Sequence, residues 1–132
     1  MRVVIFACSK KAYLLQKKLE KKWKEEQPDS TVRCIIKCKS LPEFSEKKSL
    51  SECTAEYFNK ADALVFISAA GIAVRSIAPF LQHKSKDPAV VVLDEQGTFC
   101  ISLLSGHAGG ANELTKQIAE WIGAVPVITT AT

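Results

Sequence analysis

The chain has 132 residues, of which 47% are hydrophobic and 24% charged, with a formal net charge of +4. That length suits one domain able to bury its own core, and the balance excludes a disordered or fibrous chain. The longest apolar runs, such as VVIFAC at 3–8, fall far short of the roughly 20 residues that cross a bilayer, and a lone Arg2 before them makes no secretory leader, so membrane and secreted readings are also excluded.

In chain order, five apolar, β-branched runs alternate with helical patterns. Residues 2–8 read as a first strand. Ser9 is placed to cap a helix whose Ala12, Leu15, Leu19 and Trp23 share one face, with Pro28 beyond its end. A second strand follows at 32–38, and the charged stretch 40–51 reads as a loop or irregular insertion. A short helix at about 50–59 leads to a third strand at 63–67. Ser68-Ala69-Ala70-Gly71 then opens a helical pattern that Pro79 must kink or restart.

Residues 89–93 are apolar at every position, as in a parallel strand buried on both faces. Asp94-Glu95-Gln96-Gly97 reads as a turn, and 98–103 as the returning arm of a β-hairpin. A helix over about 108–122, ended by Gly123, and a strand at 125–129 close the chain. This alternation predicts a three-layer α/β/α domain over residues 1–132, with a mostly parallel, open, Rossmann- or flavodoxin-like sheet and a hairpin near 89–103.

Charge is uneven along the chain. Residues 1–60 carry 14 Lys and Arg against 8 Asp and Glu, whereas 61–132 carry 4 against 6 and hold all six glycines. A basic half attracts either nucleic acid or a small polyanion. Its cations share a helix with matching glutamates and are not interleaved with aromatics, so nucleic-acid binding is not expected. Five cysteines in no framework spacing read as reduced and indicate a cytoplasmic chain. Cys34 and Cys38 lack histidine partners spaced to complete a four-ligand site, so no protein-held metal is expected.

Ligands of such sheets bind at the carboxyl ends of the strands. The small or polar residues expected there are Cys8-Ser9, Ser68 to Gly71, Asp94 and Thr129-Thr130. Ser68 and Gly71 leave room for an anion at a helix N-terminus, with Arg75 one turn on as a bidentate partner; the plainer reading is a tight turn with a solvated arginine. Ser105, Gly106, His107, Gly109, Gly110, Asn112 and Glu113 open the last helix and are expected on the same edge. There His107 is the candidate acid/base group. Asn112 and Glu113 either bind substrate or only satisfy the helix end. Asp94 is either functional or a turn starter.

Several of these stretches resemble a known family. Ala69-Ala70-Gly71-Ile72-Ala73-Val74-Arg75-Ser76-Ile77-Ala78-Pro79, Asp87 to Val92 with Asp94, Ile101 to His107 with Gly109 to Leu114, and Pro126 to Thr132 together resemble the N-terminal domain of the CbiG family, the cobalt-precorrin-5A hydrolases of anaerobic cobalamin biosynthesis. The likeness is dense from about residue 62 onward; residues 1–61 share mainly the strand–helix opening, and 33–53 look idiosyncratic.

Membership implies opening of a δ-lactone on a cobalt corrinoid, loss of acetaldehyde and formation of cobalt-precorrin-5B. The cobalt arrives within the substrate, and no separate cofactor is implied. The partners implied are that polycarboxylate corrinoid and the family's middle and C-terminal domains, into which its members continue past the point where this chain stops. A homodimer is compatible, and no membrane is involved. Two other readings stand beside this one: a non-catalytic corrinoid-binding module, and a nucleotide- or phosphate-responsive regulatory domain centred on Asp94.

Overall fold

A computed structural model describes residues 1–131; Thr132, the last residue of the family-like closing run, lies outside the described residues. The elements are β1 (Arg2–Ala7), α1 (Lys10–Glu26), β2 (Thr31–Ile36), α2 (Leu50–Tyr57), β3 (Ala63–Ile67), α3 (Ala70–Ile77), β4 (Ala89–Leu93), β5 (Phe99–Leu104), α4 (Ala111–Ile122) and β6 (Val125–Val127). They form one six-stranded sheet in the order β2-β1-β3-β4-β5-β6. β1 to β4 run parallel, β5 is antiparallel to β4, and β6 is parallel to β5.

Alternation along the central strands sorts the core onto two faces. Val3, Ile5, Val65 and Val91 meet Leu19 and Trp23 of α1 and Leu114 and Ile118 of α4. Val4, Phe6, Leu64, Phe66 and Val92 meet Cys53 of α2 and Ala73 and Ile77 of α3. β3 and β4 are buried at every position, as covering both faces requires. The three-layer sheet and the 89–103 hairpin therefore stand as expected.

Local differences have local causes. In α1 the fully buried inward position is Gln16 rather than Leu15. Its Nε2 donates to the carbonyls of Ile5 and Ile35 at 2.7 and 3.0 Å, tying the helix to the two strands it connects. Leu15 sits at the margin instead, against Gly97. α3 stops at Ile77 and a single 3-10 turn, Ala78–Phe80, takes over, because Pro79 cannot donate to the α-ladder.

One expectation is overturned. Because β5 runs antiparallel to β4, with Leu93 opposite Cys100 and Val90 opposite Leu104, the chain returns to the amino ends of the parallel strands before it reaches Ser105. Ser105, His107, Gly109, Gly110, Asn112 and Glu113 therefore occupy the edge opposite Ser68, Gly71 and Asp94. β6 runs with β5, so Thr129 and Thr130 follow them there. The separation is about 16 Å, the length of a five-residue strand.

Two consequences are measurable. Trp23 is wholly buried and meets Trp121 edge-on at 5.2 Å between centroids, so Trp23→Ala should cost about 3–5 kcal/mol in urea unfolding. Burial also pushes the Cys100 thiol from 9.0 up to about 12. Below pH 9 the thiol keeps its proton in both states and adds no pH dependence. Above it the unfolded chain ionises first, and stability falls as pH rises. Between pH 8 and pH 10 the native protein should lose about 1 kcal/mol more than Cys100→Val, measured by denaturant midpoints at both pH values.

Candidate functional site

At the carboxyl edge the connections after β1 and β3 leave toward opposite faces, β1 into α1 and β3 into α3, which opens a crevice between the two strand ends. A cavity of about 390 Å³ occupies it, lined by Cys8, Ser9, Ile67, Ser68, Ala69, Ile72, Asp94 and Glu95. A second cavity of about 570 Å³ shares Cys8 and Ile72 with the first and extends past the end of β2 along Lys37, Cys38, Lys39, Pro42 and Lys47. The two make one cleft, acidic at its β4 end and net basic at its β2 end, where Lys37, Lys39 and Lys47 outnumber the one carboxylate of the lining, Glu46.

The helix starts around this cleft differ. Ser9 caps α1, its Oγ accepting from the Ala12 N–H at 3.1 Å, and Ser49 closes a capping box on α2. α3 is preceded by Ala69 in the cap position, which offers no side-chain cap. Among its first-turn donors the Ile72 N–H turns back to Ala69 O at 3.1 Å, so the Ala70 and Gly71 N–H groups are the ones left for a ligand beside Ser68, where the helix dipole favours negative charge. Arg75 is exposed and its guanidinium folds back to 3.4 Å from where a Cβ on Gly71 would stand. It joins none of the ion pairs between described residues. Gly71 and Arg75 flank the cleft without lining it.

Asp94 sits in the cleft wall, but its carboxylate is engaged in the turn: Oδ1 accepts from the Phe99 N–H at 2.6 Å and Oδ2 from the Gln96 N–H at 3.3 Å. Glu95, which the sequence reading passed over as part of a turn, is the freer acid. Its Oε2 accepts from Ser9 Oγ at 2.6 Å, bridging the β4 and β1 ends. Cys8 is half-buried, and burial first, with Cys38 second, pushes its thiol up to about 11. At neutral pH it is an uncharged wall atom and no nucleophile.

At the opposite edge, packing accounts for the glycine-rich segment. Ser102 Oγ donates to Asn112 Oδ1 at 2.7 Å, and Asn112 Nδ2 donates to Thr130 Oγ1 at 2.9 Å, so this buried amide is consumed in joining β5, α4 and the C-terminal segment. A Cβ on Gly106 would stand 2.8 Å from Asn112 Oδ1, and one on Gly109 would stand 2.4 Å from Ser105 Cβ. Gly110 takes φ 82° as the helix cap, and Ser105 takes φ 61°. The first N–H groups of α4 are already spent, Ala111 on Ser105 O and Asn112 on Gly106 O. Ser105 Oγ donates to Asp87 O. His107 and Glu113 are exposed, and Glu113 pairs with Lys116.

His107 and Arg75 thus belong to different edges and share no cavity. The signal for this lay in the sequence, since a hairpin at 89–103 reverses the chain and carries all that follows to the other edge. The 37–47 segment was missed as a site component, although the end of β2 belongs to the carboxyl edge by the same rule.

Comparisons with known proteins agree with this architecture. The cobalamin synthesis G N-terminal family model matches residues 52–132. The chain is 63% identical over 75 residues to a cobalt-precorrin-5A hydrolase of Salmonella typhimurium, a match covering 57% of this chain and 21% of that protein. It is 54% identical over 74 residues to one from Priestia megaterium, covering 56% of this chain and 20% of that protein. The matched segment therefore spans about a fifth of each curated relative. In fold, the chain superposes on a crystal structure of a cobalamin biosynthesis protein G homologue from Sulfolobus solfataricus with a TM-score of 0.74 at 23% identity, covering 96% of this chain and 36% of that one. With the family model matching well over half of its residues, this chain belongs to the cobalamin synthesis G N-terminal family.

Proposed function

We propose that this chain is part of a cobalt-precorrin-5A hydrolase of cobalamin biosynthesis and that the corrinoid lies against the carboxyl-edge cleft. The observation that carries this reading is that the crevice between β1 and β3 draws six of its eight lining residues from the β1 and β3 ends and the α3 start and the other two, Asp94 and Glu95, from the acidic turn, and that all of those from Ile67 onward fall within the family-matched segment. In this reading the cobalt arrives within the substrate, no resident cofactor is required, and the protein works in the cytoplasm alongside the remainder of the longer hydrolase. Among the described residues, no helix is long and apolar enough to cross a membrane.

The cleft offers what lactone opening needs. Glu95, held by Ser9, takes a proton from water. The hydroxide adds to the lactone carbonyl, and the oxyanion meets the uncapped N–H groups of α3. Collapse breaks the ring C–O bond, and the departing alkoxide recovers the proton from Glu95. Loss of acetaldehyde then requires that the new hydroxyl give up its proton while the breaking C–C bond leaves its electron pair in the macrocycle. Arg75 stands beside the same helix start, where it can take a substrate carboxylate.

In the protein that carries this chain, Glu95→Gln should lower acetaldehyde release from cobalt-precorrin-5A by about 100-fold or more. His107→Ala, at the opposite edge, should stay within about twofold of the native rate. The reverse pattern would move the chemistry to the amino edge.

A second reading is favoured by the limited span of the match: the domain holds the corrinoid while other parts of the longer protein act on it. Titration of a corrinoid into residues 1–132 tests it. Binding without acetaldehyde release supports the holding role, and release by this chain alone rules it out.

A further inference from the structure

All but one of the residues lining the larger half of the cleft precede the family-matched segment, which begins at residue 52; the exception is Ile72. The chain leaves β2, turns through residues 37–49 and enters α2. This loop is short of regular structure but firmly held. Lys37 Nζ donates to Glu46 O at 2.8 Å, the Cys38 N–H donates to Ser45 Oγ at 3.0 Å, and the Glu46 N–H donates to Ile36 O at 2.8 Å. Phe44 stacks on Tyr13 of α1 with centroids 5.7 Å apart. Such anchoring fixes the loop's shape before any ligand arrives, which lowers the ordering cost of binding.

What the loop presents is a combination of two surfaces. Pro42, Leu50 and Ile72 give an apolar patch, and Ile72 is 37% exposed although it lies at the start of a packed helix. Lys39 and Lys47 rise beside it, both exposed and both outside the ion pairs between described residues. Lys48, next along the chain, is by contrast engaged with Glu56. Lys37 is occupied by the loop carbonyl, so the two unengaged ammonium groups are the ones free to meet a ligand.

We infer that the 37–47 loop is the carboxylate-recognising wall of this cleft: a flat macrocycle rests its apolar face on Ile72, Leu50 and Pro42 while Lys39 and Lys47 take carboxylates on its periphery. This inference rests on the placement of the corrinoid in the cleft proposed above and adds which residues select the substrate class. Lysine suits the role because its compact charge on a flexible stem follows peripheral carboxylates whose spacing differs from one side chain to the next. The acidic end of the cleft, at Asp94 and Glu95, repels the same carboxylates and so orients the ligand with its charged rim toward β2.

The test uses metal-free porphyrins that share a ring and differ in their rim: uroporphyrin, with carboxylates on every pyrrole, and mesoporphyrin, with far fewer. Binding to residues 1–132 is followed by fluorescence at low and high salt. The native chain should bind uroporphyrin about tenfold tighter than mesoporphyrin, with a preference that fades in high salt. Lys39→Glu/Lys47→Glu should remove that preference, and Lys39→Gln/Lys47→Gln should weaken it by several-fold. Lys18→Glu/Lys21→Glu, which makes the same charge change on the exposed face of α1, should leave it within about twofold. Circular dichroism confirms that each variant is folded. Equal loss in the α1 variant would reduce the effect to net charge and overturn the inference. Unchanged preference in the loop variants would overturn it while leaving the cleft reading intact, because ring binding would persist. No binding of either porphyrin to the native chain would overturn both.

Discussion

The turn at 94–97 is the constraint on which the layout of this domain depends. Asp94 closes it by accepting from the Phe99 N–H at 2.6 Å, and Gly97 supplies the positive φ of 72° that the reversal needs. Four parallel strands have by then placed every preceding connection according to one rule, with β1, β2, β3 and β4 all ending on one edge. The reversal breaks that rule once. It leaves Asp94 and Glu95 at the cleft and sends everything from Ser105 onward to the far side of the sheet.

That division explains why two polar, small-residue regions have different physical characters. At the carboxyl edge the chain leaves groups unspent: a helix start without a side-chain cap, a carboxylate braced by a serine, and lysines outside ion pairs. At the amino edge the groups are spent on one another. Asn112 serves both Ser102 and Thr130, the first donors of α4 meet Ser105 and Gly106, and Gly106 and Gly109 are required by neighbours rather than by a guest. Glycine density and a histidine point to close approach in both cases, but at Gly106 the closest approach is that of the domain's own asparagine.

The cleft also joins two parts of the chain with different relationships to the family. β3, α3 and the 94–97 turn come from the matched segment, while β1, β2 and the pinned loop precede it. Strand pairing brings them together, Ala7 lying opposite both Ile36 and Ile67 in the register. The acidic and basic ends of the cleft consequently sit on different stretches of sequence.

The elements themselves were legible in the sequence because hydrophobic periodicity and turn chemistry are local properties. The fully apolar β4 announced a strand covered on both faces, Pro79 announced a break in the helical pattern after β3, and Asp94 to Gly97 announced the hairpin. Gln16 was not legible as a core residue, since its burial depends on two strand carbonyls, Ile5 and Ile35, that only packing brings beneath it. Nor were the partners of Asn112, which lie 10 and 18 residues away, or the meeting of the 37–47 loop with Ile72. Sequence alone determined which segments are helix and strand and that a mostly parallel sheet results. Tertiary structure decided which edge each loop occupies and which polar groups remain unspent, because strand direction accumulates along the whole chain and a hydrogen bond is satisfied only by the group that folding brings within reach of it.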